Sequence, residues 1–243
     1  METEFLFYLA IFFTSILYSS VGHGGASGYL AIMALFAIDP IYMRASALTL
    51  NMFVAGISFY HFYRGGHFRL KLLLPFIALS IPMSFFGARL DVNPYTYKII
   101  LGIFLLIAVI RMLFFTKSEK EPKPIYLPLA LIFGAVLGFF SGMIGIGGGI
   151  ILSPLLLLMG WATIKETAAI SAIFIFLNSA SGILGVIAKG FEPISSIYIL
   201  IVLGIIGSII GSQLGQKRLT PRYLMYMLSF VLLFASFKLF YFA

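Results

Sequence analysis

Two stretches of the chain could recognise a ligand almost entirely through backbone. They are Val21-Gly22-His23-Gly24-Gly25-Ala26 and Ile144-Gly145-Ile146-Gly147-Gly148-Gly149, and each interrupts an otherwise apolar run. Glycine weakens a helix by roughly 1 kcal/mol per residue, so a cluster of them marks a break. A short helix that restarts after such a break offers unbonded N–H groups and the positive end of its dipole. The absence of side chains lets an anion approach that backbone closely. The chemistry on offer is therefore binding of a small anion. Its candidate residues are Gly22, His23, Gly24, Gly25 and Ser27 in one stretch and Gly145, Gly147, Gly148 and Gly149 in the other. The competing reading is that these glycines only let helices pack tightly, as small residues do in membrane bundles. Two breaks in corresponding positions favour the binding site.

Asn51 and Asn178 form the next pair. Each amide either donates to the anion or satisfies broken backbone near it. His23 is the only titratable side chain in either break; it either carries a proton or packs as a hydrogen-bonded neutral group. All eight acids (Glu2, Glu4, Asp39, Asp91, Glu119, Glu121, Glu166, Glu192) fall in termini, loops or element ends. A cation carrier usually needs a carboxylate in mid-span, as does a buried acid–base enzyme, so both are disfavoured. With no cysteine there is no disulfide, thiolate metal site or cysteine relay, and three histidines without nearby acids make no metal site. No cofactor is implied. Glycines spaced G-x-G lack the preceding strand and third glycine of a dinucleotide fingerprint. Gly207, Gly211 and Gly215 recur every four residues and read as helix packing, within the fold or between copies in a homo-oligomer.

The elements that must position these residues are membrane helices. The chain is 61% hydrophobic and 10% charged, with a mean hydropathy of +1.09. Soluble domains carry about 25% charged residues. The lipid bilayer is thus the solvent, and the expected fold is an all-α polytopic membrane protein. Net charge is +8, but the basic residues are scattered over short loops, which excludes a nucleic-acid partner. Residues 5–21 read as a retained membrane segment, because Met1-Glu2-Thr3-Glu4 is acidic where a signal peptide is basic.

Aligning Gly22 with Gly145 also brings Asn51 to Asn178, Gly56 to Gly182, Gly87 to Gly211 and Pro94 to Pro221 with small gaps. The chain divides into a first membrane repeat (1–116), a charged linker (117–124) and a second membrane repeat (125–243). The expected elements are 5–21, 26–38, 43–63, 71–88 and 95–115, then 126–141, 150–160, 167–188, 195–214 and 223–241. Segments 26–38 and 150–160 reach roughly 20 Å or less, short of a ~30 Å hydrocarbon core. They read as arms of re-entrant hairpins. With the N-terminus outside and each hairpin returning to its own face, eleven of the sixteen Lys and Arg residues fall inside and five (Arg44, Arg89, Lys98, Lys189, Lys238) outside. Crossing hairpins give a poorer split, so the positive-inside rule favours three crossings per half. Three is odd, so the expected halves are inverted repeats, each a glycine-broken hairpin plus three transmembrane helices.

With these motifs placed, the chain resembles the sulfite exporter TauE/SafE family of membrane permeases. The resemblance rests on size, duplication, and the run Ser141-Gly142-Met143-Ile144-Gly145-Ile146-Gly147-Gly148-Gly149-Ile150-Ile151-Leu152-Ser153-Pro154-Leu155. The first half departs from it: Ala26 replaces the last glycine, His23 an apolar residue, and Ala31 stands where Pro154 would have its match. The resemblance implies movement of sulfite, an organosulfonate or a related small sulfur-containing anion, usually outward, coupled to the proton gradient of a bacterial-type inner membrane. A passive anion channel on the same hairpins is the alternative. Zero cysteines argue against uptake with a cysteine relay, and no serine has a base at helical spacing that would suggest an enzyme.

Overall fold

The computed structural model describes residues 2–20, 24–114, 122–190, 196–217 and 221–241. They form ten helices and, among the described residues, no strand. The first five are α1 (Glu2–Ser20), α2 (Ala26–Leu35), α3 (Pro40–Arg64), α4 (Leu70–Arg89) and α5 (Pro94–Phe114). The second five are α6 (Leu127–Ile144), α7 (Gly149–Leu158), α8 (Ile164–Ile187), α9 (Ser196–Lys217) and α10 (Pro221–Tyr241). Their starts follow local chemistry. Pro40 opens α3 behind Asp39, whose carboxylate accepts the Ile41 N–H at 3.0 Å. Thr163 and Glu166 form a capping box at the start of α8. Among the described residues α4, α6 and α8 are long and apolar enough to cross a membrane. Large apolar side chains such as Phe86, Ile132, Val202, Phe230 and Phe234 face outward. In water such a surface would aggregate; in lipid it is the expected exterior.

Glycine-to-backbone contact holds the helices. A Cβ on Gly134, Gly138 or Gly142 of α6 would stand 2.3, 2.2 or 1.9 Å from the carbonyl oxygens of Phe76, Ser80 and Ser84. Both sets of residues ascend together, so α6 runs parallel to α4 with backbones touching. A Cβ on Gly207 or Gly211 of α9 would stand 2.9 or 2.2 Å from the carbonyl oxygens of Phe12 and Ile16 of α1, another parallel pair. The Ser181 hydroxyl donates to the Ile81 carbonyl (2.6 Å), joining α8 parallel to α4, and the Ser208 hydroxyl to that of Val54 (3.4 Å), joining α9 parallel to α3. Across the centre α3 and α8 run antiparallel: Leu48 lies against Gly182, and Phe176 against Gly56. The Ser236 hydroxyl donates to the Gly102 carbonyl (2.9 Å) where α10 meets α5.

The broken segments return toward their starting ends. The Lys123 N–H, just before α6, donates to the Gly160 carbonyl, just after α7, at 2.6 Å. Phe7 near the start of α1 and Phe36 after α2 stack edge to face, 5.2 Å apart. Charged groups gather at the two ends of the bundle. Arg69 pairs with Glu166 at 3.1 Å near one end, and Lys189 with Asp91 at the other.

Two boundaries differ from the sequence reading in ways that matter. Residue 43 was the expected start of α3, but the Asp39–Pro40 pair begins it earlier, and Arg44 lies one full turn into the helix as a buried residue. Likewise α6 runs on to Ile144 rather than stopping at 141, because a left-handed turn at Gly145 ends it.

Candidate functional site

The second break starts where the Gly145 N–H donates back to the Ser141 carbonyl at 2.9 Å, closing α6. Gly145, Gly147 and Gly148 have φ of +93°, +76° and +73°, and Gly148 is the N-cap of α7. Three left-handed residues so close together need glycine, since a Cβ costs about 1–2 kcal/mol at each. Ser141 through Ile150 are all buried. The break's carbonyls are met by protein: the Tyr97 hydroxyl donates to Ile144 (2.8 Å), and the Asn51 amide to Gly145 (3.4 Å). The Ser153 hydroxyl donates to the Gly149 carbonyl at 2.9 Å. Among the described residues no side chain caps the N-terminus of α7, nor that of α2, whose N-cap Gly25 has φ +87°.

Of the first break, Gly22 and His23 lie outside the described residues. Gly24 supplies the decisive contact. A Cβ on Gly24 would stand 2.9 Å from Cγ2 of Ile175 and 3.4 Å from Oδ1 of Asn51. A Cβ on Gly147 would stand 2.8 Å from the same Ile175 methyl and 3.0 Å from Nδ2 of the same asparagine. Gly149 packs on Cδ1 of Ile175, where a Cβ would be at 2.4 Å. Both breaks thus touch one α3 side chain and one α8 side chain. Asn51 is fully buried, and its Oδ1 has no hydrogen-bond partner among the described residues.

Other sequence candidates face elsewhere. Gly25 lies against the ring of Tyr29, whose hydroxyl bonds Ser15 at 3.0 Å. The Ser27 hydroxyl is 2.6 Å from that of Tyr18, tying α2 back to α1. Gly148 faces Phe174. Asn178 is buried with its amide donating to the Phe174 carbonyl one turn back at 2.8 Å, and its own carbonyl accepts from Ser84 (2.7 Å). Ile175 and Tyr97 had no sequence signal of their own, although Ile175 lies one turn from Asn178 on the same helix.

A family model, Sulfite exporter TauE/SafE, matches residues 7–239. The chain is 32% identical to the probable membrane transporter protein y4hK of Sinorhizobium fredii over 98% of its own length and 99% of that protein's. It is 27% identical to the probable membrane transporter protein YdhB of Bacillus subtilis, over 87% and 89% of the two chains. The Sulfite exporter TauE/SafE family protein 2 of Arabidopsis thaliana is 32% identical over 38% of this chain and 19% of its own. No solved structure matches. The protein is an integral membrane transporter. It belongs to the sulfite exporter TauE/SafE family.

Proposed function

We propose that this transporter carries a small sulfur-containing oxyanion, sulfite or an organosulfonate, held between the two glycine breaks and moved outward with proton linkage. The observation that carries the reading is the shared contact: Gly24 and Gly147 abut the same methyl of Ile175 and the same amide of Asn51. Two uncapped helix N-termini accompany it, which supports an anionic ligand. Sulfite is taken from the family's description, not from the geometry.

The halves are read as inverted repeats. Exchanging α1–α5 for α6–α10 turns the α1·α9 pair into α6·α4, the α3·α9 pair into α8·α4, and returns α3·α8 and α5·α10 to themselves. The antiparallel run of α3 against α8 supports opposite orientation of equivalent helices. The neighbouring ends of α6 and α7 support a re-entrant hairpin. We place the N-terminus outside on the charge count alone, and the bacterial-type inner membrane on the family resemblance.

The test is flux of isotope-labelled sulfite into proteoliposomes, with and without an imposed pH gradient, for the wild type and Gly147→Val. Gradient-driven accumulation lost in the variant, with expression intact, is the expected result. Passive equilibration alone would replace the carrier by a facilitator, and unchanged flux in the variant would remove the hairpin site.

A further inference from the structure

A cavity of about 400 Å³ opens where α3 begins and α4 and α8 finish, lined among others by Tyr42, Arg44, Asp91, Val186 and Lys189. Arg44 dominates it chemically. Its side chain belongs to a residue only 5% exposed. Nη1 donates to the Leu90 carbonyl at a long 3.3 Å, and Nε has no partner among the described residues. A guanidinium carries five N–H donors, and buried ones are normally bonded. Its charge is also poorly met. Arg44 sits near the N-terminus of α3, where the helix dipole disfavours a cation, and no acid lies in that first turn. Asp39 is engaged in capping Ile41. Asp91 is paired with Lys189 and turned outward, its side chain 93% exposed.

This residue also touches the second glycine break. A Cβ on Gly145 would stand 3.1 Å from both the Cα and the carbonyl oxygen of Arg44. The alignment that sets Asn51 on Asn178 sets Arg44 on Ser171. Ser171 is neutral, and its hydroxyl lies 2.8 Å from that of Ser153. The cation therefore stands beside one break only.

We propose that this cavity is an oxyanion station at one mouth of the protein, distinct from the site between the breaks. Arg44 grips a small free oxyanion with two parallel N–H bonds, and Lys189 exchanges from Asp91 to close on it. That the ligand is the transported anion rests on the functional reading above; the station itself does not.

The experiment is equilibrium binding of labelled sulfite to the intact protein in detergent, for the wild type, Arg44→Gln, Arg44→Lys, Lys189→Gln and Gly147→Val. Two sites per chain are expected in the wild type. Arg44→Gln should weaken one of them on the order of 10- to 100-fold, with Arg44→Lys between the two. Unchanged binding in Arg44→Gln overturns the station. If Arg44→Gln does not fold, Lys189→Gln reads the same cavity, and unweakened binding there overturns it equally. Loss in Gly147→Val alone leaves the hairpin site and removes the station; loss in Arg44→Gln alone does the reverse. Weakening by added phosphatidylglycerol with no sulfite bound at Arg44 assigns the cavity to a lipid phosphate and overturns the free-anion station.

Discussion

Substituting Gly24 by alanine tests whether the two breaks meet. The new methyl would stand 2.9 Å from Cγ2 of Ile175, with Ala55 Cβ and Asn51 Oδ1 at 3.4 Å. Carbon atoms pack best at about 3.5–4.0 Å, so the overlap with Ile175 decides the outcome. That methyl hangs directly from a Cβ whose χ1 is nearly fixed in a helix, so it yields only if α2 or α8 shifts. Overpacking of this kind costs about 1–3 kcal/mol. Ile175→Leu keeps the volume and removes the offending branch, at less than about 1.5 kcal/mol alone. Gly24→Ala/Ile175→Leu should recover the part of the loss that comes from this overlap. Gly147→Ala meets the same methyl at 2.8 Å but also forces an alanine to φ +76°. Its rescue by Ile175→Leu should stop about 1–2 kcal/mol short, the cost of the left-handed backbone. Thermal unfolding of the purified variants in detergent, with sulfite flux alongside, reads both cycles. If Ile175→Leu improves neither glycine variant, the breaks do not share that side chain. Full rescue of Gly147→Ala would refute the left-handed turn.

Two further outcomes are expected. Gly142→Ala places a Cβ 1.9 Å from the Ser84 carbonyl, a backbone atom that cannot step aside, so it should lower the unfolding midpoint far more than Gly66→Ala, which meets nothing within 4 Å and bears only its φ of +74°; equal effects would refute backbone contact between α4 and α6. Single cysteines at Ile41 and Gly190 should react with an impermeant reagent from outside, and those at His67 and Lys165 from inside; labelling of all four from one face would sink the orientation.

Much of this fold is legible because several helix starts are written locally. Proline at Pro40, Pro94 and Pro221 opens a helix, Thr163 and Glu166 cap one, and Gly145 ends one. Packing was legible only in part. The spacing of Gly207 and Gly211 announces a contact, and the same spacing at Gly134, Gly138 and Gly142 carried that signal unread. Neither stripe says which helix it meets, since that depends on how the chain returns. The burial of Arg44 was not legible: a cation at the start of the expected 43–63 element says which face it is near, not that its side chain is enclosed. Ile175 could not be found at all. An isoleucine in a membrane helix carries no chemical mark, and its place between the breaks arises only from the crossing of α3 and α8.

The proposed anionic ligand rests on which backbone groups the protein leaves unserved. Burying an unpaired polar group costs about 1–3 kcal/mol, so broken backbone in a dry interior must find partners. At the second break the carbonyls find them: Ile144 from Tyr97, Gly145 from Asn51, Gly149 from Ser153. Those three donors are neutral, so none brings a charge that would itself need a counter-ion. The N–H groups fare differently. The first turn of any helix has no internal acceptor, and among the described residues neither α2 nor α7 is given a side-chain cap. A cation entering here would find the carbonyls of Ile144, Gly145 and Gly149 already engaged, with Asn51 Oδ1 as an open acceptor, and would face two positive dipole ends. An oxyanion would supply the missing acceptors to both helices at once. On the proposed anion reading, selectivity would be set less by a charged residue than by which half of each peptide group the surrounding helices have already satisfied. On that argument Asn51→Leu should do double harm, since it frees the Gly145 carbonyl as a competing acceptor at the anion's edge and removes the side chain against which both breaks pack.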